Sequence, residues 1–170
     1  MINKEKNFAF IDSQNLHLGI ERLGWKLDYK KFRIYLKEKY GVQKAYMFIG
    51  YLPENQNLYK VLQEIGYILI FKSVMKDGEG KAKGNVDANL VLQVMIDIDV
   101  YDKAIIITSD GDFYCLVDYL FLNKKLKMVI SPNKEKCSIL LRKAAKSKIV
   151  FLDNLTSKLK YQKTPLKDRT

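Results

Sequence analysis

The sequence predicts a single α/β domain built on a mostly parallel sheet of five to six strands with helices on both faces. Short apolar runs rich in β-branched and aromatic residues alternate with longer amphipathic segments, a pattern typical of repeated strand–helix–strand units. Crossovers in such units are right-handed and cover both faces of the sheet. The chain has 170 residues, 48% of them hydrophobic, so it is large enough to bury one core and needs no second domain.

The strands are predicted from the apolar runs. They are residues 7–11, 42–50, 67–71, 105–107 and 126–130, with a short sixth strand or extended segment at 148–152. The run Ile105-Ile-Ile107 contains no polar residue, which is typical of a central strand covered on both faces. We therefore place residues 105–107 in the middle of the sheet.

The helices are predicted from apolar positions at helical spacing. They run from Asp12 to about Leu23, over residues 29–40, 55–65, 86–96 and 113–122, and through a segment containing Ile139 and Ala144. Between Met75 and Asn85 the chain is rich in glycine and lysine, which predicts an exposed, mobile loop. From residue 156 the chain is polar and basic, so we expect a domain at 1–155 and a loosely ordered tail at 156–170.

The charge of the chain indicates its class of partner. The formal net charge is +11 with a pI near 9.5, which favours a polyanion such as nucleic acid. A general lysine bias that only solvates the surface is the alternative. The sequence has no signal-peptide pattern and no apolar run of the roughly 18 residues that a membrane span needs. We expect a soluble, cytoplasmic protein with no membrane partner, in which Cys115 and Cys137 are reduced thiols.

Four aspartates lie where a predicted strand ends or a predicted helix begins. Asp12 follows the first strand, Asp110 and Asp112 follow the central strand, and Asp87 lies in the first turn of a helix. In an open α/β sheet the carboxyl ends of parallel strands meet at one edge, and ligands bind there. We therefore predict that these four carboxylates converge.

Converging carboxylates repel one another and are tolerated at neutral pH only if one is protonated or a cation lies between them. Oxygen donors without a cysteine or histidine cluster favour Mg²⁺ or Mn²⁺ over Zn²⁺. Such ions suit phosphodiester hydrolysis, because they lower the pKa of a water molecule and stabilise the leaving oxygen. Asp12, Asp87, Asp110 and Asp112 are thus the candidate catalytic and metal-binding residues.

Each of these aspartates also has a structural explanation. Asp12 and Asp112 are plausible N-caps of the helices that follow them. The helix dipole alone favours a carboxylate at Asp87. Capping explains neither the asparagine at position 15 nor the matching aspartates elsewhere, so we favour function for Asp12 and Asp110. For Asp112 both explanations stay open.

Three short blocks of sequence carry these aspartates: Phe10-Ile-Asp-Ser-Gln-Asn15, Lys83-Gly-Asn-Val-Asp87 and Thr108-Ser-Asp-Gly-Asp-Phe113. In this order they resemble the signature blocks of the NYN domain family, the LabA/DUF88-like branch of the PIN-like nuclease superfamily. The resemblance spans about residues 7–155. It implies a PIN-like, Rossmann-like three-layer fold and a metal-dependent ribonuclease activity, with the metal held at the positions of the four aspartates.

The resemblance also implies supporting residues. Asn15 matches the family's asparagine beside the first aspartate, where it would orient a ligand or a water molecule, and Ser109 matches the small hydroxyl residue before the acidic pair. Lys146 stands where many members carry an aspartate, so no carboxylate is expected at that corner. RNA is the substrate that the resemblance favours.

Basic residues flank the predicted acidic edge. The candidates for contacts with a nucleic-acid backbone are Lys83, Lys134, Lys136, Arg142, Lys143 and Lys146. Such contacts would weaken steeply with salt. The alternative is that these side chains form an ordinary solvated loop and helix face.

Two other classes of function compete with a nuclease. The first is a nucleic-acid-binding or regulatory module that keeps the fold without turnover, which would bind RNA equally well in the presence of a chelator. The second is an interaction protein whose acidic edge docks a basic partner, for which RNA affinity would be negligible.

Overall fold

The structure is a computed structural model that describes residues 5–72 and 86–163, together with the backbone of residues 75–76 and 82–83. Its main sheet contains β1 (Asn7–Asp12), β2 (Val42–Gly50), β3 (Tyr67–Lys72), β6 (Lys103–Ile107), β7 (Leu126–Ser131) and β8 (Ile149–Phe151). These six strands are all parallel, in the order β3-β2-β1-β6-β7-β8. The predicted α/β class and parallel sheet are therefore confirmed, with β1 and β6 at the centre.

Helices connect the strands and cover both faces of the sheet. They are α1 (Ser13–Glu21), α2 (Tyr29–Tyr40), α3 (Gln56–Ile65), α4 (Val86–Ile96), α5 (Tyr114–Leu122), α6 (Ile139–Ala145) and α7 (Thr156–Leu159). Gly41 ends α2 with a left-handed backbone (φ 66°), a conformation that glycine adopts without steric cost. Short 3₁₀ turns lie at Pro53–Asn55, Gly111–Phe113 and Leu152–Leu155.

The side chains of each central strand alternate between two hydrophobic cores. Phe8, Phe10 and Ile106 face the core under α4, α5 and α6, whereas Ile11 and Ile107 face the core under α1, α2, α3 and α7. All five of these side chains are fully buried. Because β1 and β6 are covered on both faces, their carboxyl ends are held rigidly beside each other.

Two segments differ from the sequence-based expectation. Residues 75–76 (β4) and 82–83 (β5) pair as a short antiparallel ribbon, so the predicted loop holds some regular backbone; its other residues lie outside the described ones. The predicted loose tail does not hold at residues 156–159, which form α7. Leu159 is fully buried there, and its carbonyl accepts a hydrogen bond from the Asp28 amide at 2.9 Å. Residues 164–170 lie outside the described part, and the division into domain and tail stays a prediction.

None of the helices in the described part of the chain combines the length and the apolar character that crossing a bilayer would require.

Candidate metal centre

Three carboxylates converge at the carboxyl edge of the sheet. Asp87 is in the first turn of α4, and Asp110 and Asp112 lie in the turn between β6 and α5. One oxygen from each lies within 4.8 Å of the others. Asp87 and Asp110 are partly buried, and Asp112 is exposed. Three oxygen donors grouped this closely and open to solvent on one side fit a hard divalent cation such as Mg²⁺ or Mn²⁺.

The turn after β6 is shaped by its own hydrogen bonds. The Asp110 amide donates to Thr108 Oγ1 at 3.1 Å, and Asp110 Oδ1 accepts from the Asp112 amide at 3.0 Å. Asp110 thereby caps the 3₁₀ turn Gly111–Phe113. The predicted N-cap role of Asp112 is wrong, because α5 begins at Tyr114 and has no side-chain cap. The 3₁₀ turn inserted before the helix is the reason.

Gly111 allows another element to approach this turn closely. A Cβ atom at position 111 would lie 2.4 Å from Ser138 Oγ, so any side chain there would displace Ser138. The Ser138 amide donates to the Ser109 carbonyl at 3.0 Å. Ser138 is the residue that precedes α6, so the start of this helix packs directly on the loop that carries Asp110 and Asp112.

Asp12 lies beside this group of three. It ends β1 and is only 7% exposed. Its Oδ1 accepts from the Asn15 amide and its Oδ2 from Thr108 Oγ1, both at 3.2 Å. Burial is the main cause that raises the pKa of Asp12, the charges of Asp87 and Asp110 also raise it, and these hydrogen bonds oppose the shift, so that the pKa is about 6. Asp12 thus caps α1 as predicted and also lies within electrostatic range of the acidic group.

Asn15 joins the two central strands at this edge. Its Oδ1 accepts hydrogen bonds from both the amide and the hydroxyl of Ser109, each at 2.8 Å. Asn15 belongs to α1, which follows β1, whereas Ser109 follows β6. The predicted supporting residues therefore bond to each other, and the pair fixes the Asp110 turn relative to Asp12.

Asp87 lies near charges of both signs. Burial raises its pKa, the carboxylates of Asp110 and Asp112 raise it further, and the charge of Lys72 lowers it. Lys72 is the last residue of β3, and sequence reasoning missed it. Its Nζ is shielded from solvent and has no hydrogen-bond partner among the residues that the structure describes. The sequence signal for it was only a lysine at the carboxyl end of an apolar strand.

The predicted basic residues differ in their exposure to solvent. Lys134, Lys136, Lys143 and Lys146 are exposed on α6 and the segment around it. Arg142 is partly buried, donates to the Lys134 carbonyl and lies over the Phe151 ring, with 5.2 Å between its Cζ and the ring centroid. Lys146 Nζ lies 4.4 Å from the centroid of the Phe121 ring. The side chain of Lys83 lies outside the described residues.

The parallel α/β sheet and the acidic group at its carboxyl edge define a protein with a PIN-like nuclease fold. The family model of the NYN domain matches residues 8–153. This chain therefore belongs to the NYN domain family.

Two known proteins are similar to the chain. The "Low amplitude and bright protein LabA" of Synechococcus elongatus is 26% identical over 122 residues, which cover 65% of each chain. The chain thus spans about two thirds of the length of that relative. The crystal structure of a protein of unknown function, VPA0982 from Vibrio parahaemolyticus, matches with a TM-score of 0.75 and 23% identity, covering 91% of this chain and 96% of the other. This second match supports the fold alone.

Proposed function

We propose that this protein is a metal-dependent ribonuclease that hydrolyses phosphodiester bonds at the carboxyl edge of its sheet. The observation that carries the proposal is the convergence of oxygens from Asp87, Asp110 and Asp112 within 4.8 Å. Membership of a family of PIN-like fold supports a nucleic-acid substrate.

The residues at this edge would have different roles in the reaction. Asp87, Asp110 and Asp112 would hold Mg²⁺ or Mn²⁺, with Asp12 as a further ligand beside them. When bound, such an ion lowers the pKa of a water molecule and stabilises charge on the phosphate and the leaving oxygen. Without a cation, burial and the charges of Asp87 and Asp110 raise the pKa of Asp12 to about 6, and a bound cation would lower it and so favour the anionic, ligating carboxylate. The hydrogen bonds between Asn15 and Ser109 would hold the Asp110 turn in place relative to Asp12.

The substrate would approach along the basic side of this edge. Lys134, Lys136, Lys143 and Lys146 are exposed around α6, whose start packs on the Asp110 turn. Phosphate contacts from these lysines would position the RNA backbone without reading its sequence. Lys83 is proposed for the same role from its sequence position, and Arg142 would contribute mainly through its charge.

The experiment is cleavage of an end-labelled single-stranded RNA with Mn²⁺, with Mg²⁺ and with a chelator, comparing the wild type with Asp110→Asn. The amide Oδ1 of the variant still accepts from the Asp112 amide, so the turn keeps its shape while one anionic ligand is lost. We expect the wild type to cleave RNA only with metal. We expect the rate of Asp110→Asn to be lower by roughly 100-fold or more, at the upper end of the losses that changes around a metal cause. Asp99→Asn is the matched control, because Asp99 is exposed and lies outside the acidic group.

Two results would contradict this function. One is cleavage by Asp110→Asn at the wild-type rate, which would place the chemistry elsewhere. The other is RNA binding without cleavage in either metal, which would make the protein a binding module of the same fold. A single-stranded DNA of the same sequence, run in parallel, tests the preference for RNA.

A further inference from the structure

Lys72 is the last residue of β3, and its ammonium group is enclosed by the protein. The Nζ atom has almost no contact with solvent, and among the described residues it has neither a hydrogen-bond partner nor an ion pair. Removing an ammonium group from water is costly unless nearby anions offset the loss. The question is therefore which anions Lys72 faces.

The alternation of side chains along β3 directs Lys72 to the face of the sheet that α4 covers. Leu69 belongs to the core under α2 and α3, whereas Ile70 belongs to the core under α4. Phe71 lies on the α3 side again, with its ring centroid 4.8 Å from that of Tyr59. The register of β3 with β2 is unbroken over the whole strand, so Lys72 shares the face of Ile70.

The same face of the sheet carries the acidic residues. Along β1, Asp12 follows Phe10 on the α4 side, because side chains two residues apart share a face. Asp87 is in the first turn of α4, which packs on β1 and β2. Between β3 and β1, Lys72 pairs with Gly50 of β2, and a glycine places no side chain between them. Lys72 therefore approaches the acidic group from the β3 side.

The charges at this edge act on one another. The positive charge of Lys72 opposes the rise in the pKa of Asp87 that burial and the carboxylates of Asp110 and Asp112 cause. Charges shielded from water are screened less by solvent and salt than charges at the surface. A divalent ion bound among the three carboxylates would feel the same positive charge, but as a repulsion.

We propose that Lys72 is a positioning residue of the metal site, a built-in cation that offsets the repulsion among the carboxylates and lowers their affinity for divalent ions. This inference rests on the proposed metal site and adds to it a residue that acts without touching the metal. The ammonium group and a divalent ion compete for the same negative charge. Removing the ammonium group strengthens metal binding, which is the opposite of what the loss of a ligand or of a structural support would cause.

The test measures Mn²⁺ affinity by isothermal titration calorimetry for the wild type and for Lys72→Met. Methionine keeps most of the length of the side chain and has no charge. We expect the variant to bind Mn²⁺ about 10-fold more tightly, the size of effect that one neighbouring charge has on an ionisable group. Lys72→Arg keeps the charge and should restore the wild-type affinity. Lys60→Met is the matched control, because the Lys60 side chain is 77% exposed on α3, on the other face of the sheet.

Salt concentration separates a local charge from the overall charge of the chain. Any effect of Lys60→Met should vanish at high salt, because its ammonium group is open to solvent. The effect of Lys72→Met should persist, because its Nζ is shielded. Lys72→Gln is a second neutral variant and should show the same gain in affinity, so the result does not depend on the folding of one protein. Circular dichroism checks the fold of each variant.

The outcomes distinguish this inference from the proposed function. Equal Mn²⁺ affinities of the wild type and both neutral variants would overturn the role of Lys72 alone. Weaker binding by the neutral variants would also overturn it, because Lys72 would then support the position of Asp87. If none of the proteins binds Mn²⁺, the inference fails together with the metal site. RNA cleavage is not used as a readout, so a metal-binding protein without nuclease activity still tests the role of Lys72.

Discussion

The two edges of the sheet hold carboxylates in opposite electrostatic states. At the amino edge, Glu5 lies between Lys103 and Lys127, with N–O distances of 2.9 and 2.5 Å. The hydrogen bonds from Lys127 and Lys103 lower the pKa of Glu5 to about 2. At the carboxyl edge, by contrast, carboxylates lie beside other carboxylates, and burial and mutual repulsion raise the pKa of Asp12 to about 6.

The contrast indicates what each edge is for. Glu5 is fully compensated by cations of the chain itself, so it can stabilise the fold without a ligand. Among residues 5–72 and 86–163, no ion pair reaches Asp12, Asp110 or Asp112. Gathering those charges costs stability, which is consistent with a site that receives its cation from solution.

The largest effect is expected on metal affinity when the carboxyl edge loses one charge. Asp87→Asn removes the charge of one of the three grouped carboxylates, and we expect the affinity for Mn²⁺ to fall by about 10- to 100-fold. Isothermal titration calorimetry measures this directly. Glu5→Gln removes one charge at the other edge and should leave Mn²⁺ affinity unchanged. Equal losses in the two variants would mean that only the overall charge matters, which would remove the distinction between the edges.

The next largest effect is on stability without metal. Asp12→Asn removes a buried charge but keeps an oxygen to accept from the Asn15 amide. From the rise in pKa from 3.8 to about 6, we expect the free energy of unfolding at pH 8 in chelator to increase by about 3 kcal/mol. Urea denaturation measures it. A loss of stability would show that the Asp12 charge is compensated within the fold.

The pH dependence of the same variant follows from the sign of the shift. The folded protein binds a proton at Asp12 more tightly than the unfolded chain does. The stability that this site contributes is therefore present below pH 4 and is lost as the pH rises to about 6. Wild-type protein in chelator should lose stability over that window, whereas Asp12→Asn should lose less. Parallel slopes in the two proteins would contradict the raised pKa.

The sequence was sufficient to predict that this edge is acidic, because Asp12 and Asp110 directly follow buried strands whose carboxyl ends must meet. It was insufficient to predict which carboxylates group most closely. That depends on side-chain direction, and the oxygens of Asp12 are engaged by Asn15 and Thr108 whereas Asp87 reaches the Asp110 turn. Hydrogen bonds of this kind leave no periodic signal in the sequence.

Two other features were missed for a similar reason. Lys72 could not be distinguished from the many solvated lysines, since only the fold places its Nζ near Asp87. Leu159 is one apolar residue in a polar segment, yet it is fully buried against the start of α2. In both cases a single long-range contact decided the outcome, and local composition indicated the opposite.

The smallest effect on the free energy of unfolding is expected at the amino edge. Replacing a carboxylate by its amide should lower stability there, whereas at Asp12 it should raise it. Glu5→Gln removes the carboxylate that Lys103 and Lys127 share, and we expect a loss of about 1 kcal/mol at pH 7. The effect is small because the Glu5 side chain is 40% exposed, so solvent and salt screen its ion pairs. Because the pKa of Glu5 is lowered, its contribution to the free energy of unfolding is present above pH 4.5 and is lost as the pH falls towards about 2. Urea denaturation at low and high salt, with Glu54→Gln as an exposed control, measures it. A gain in stability from Glu5→Gln would show that the two edges do not differ in the way proposed, because removing a carboxylate would then stabilise both.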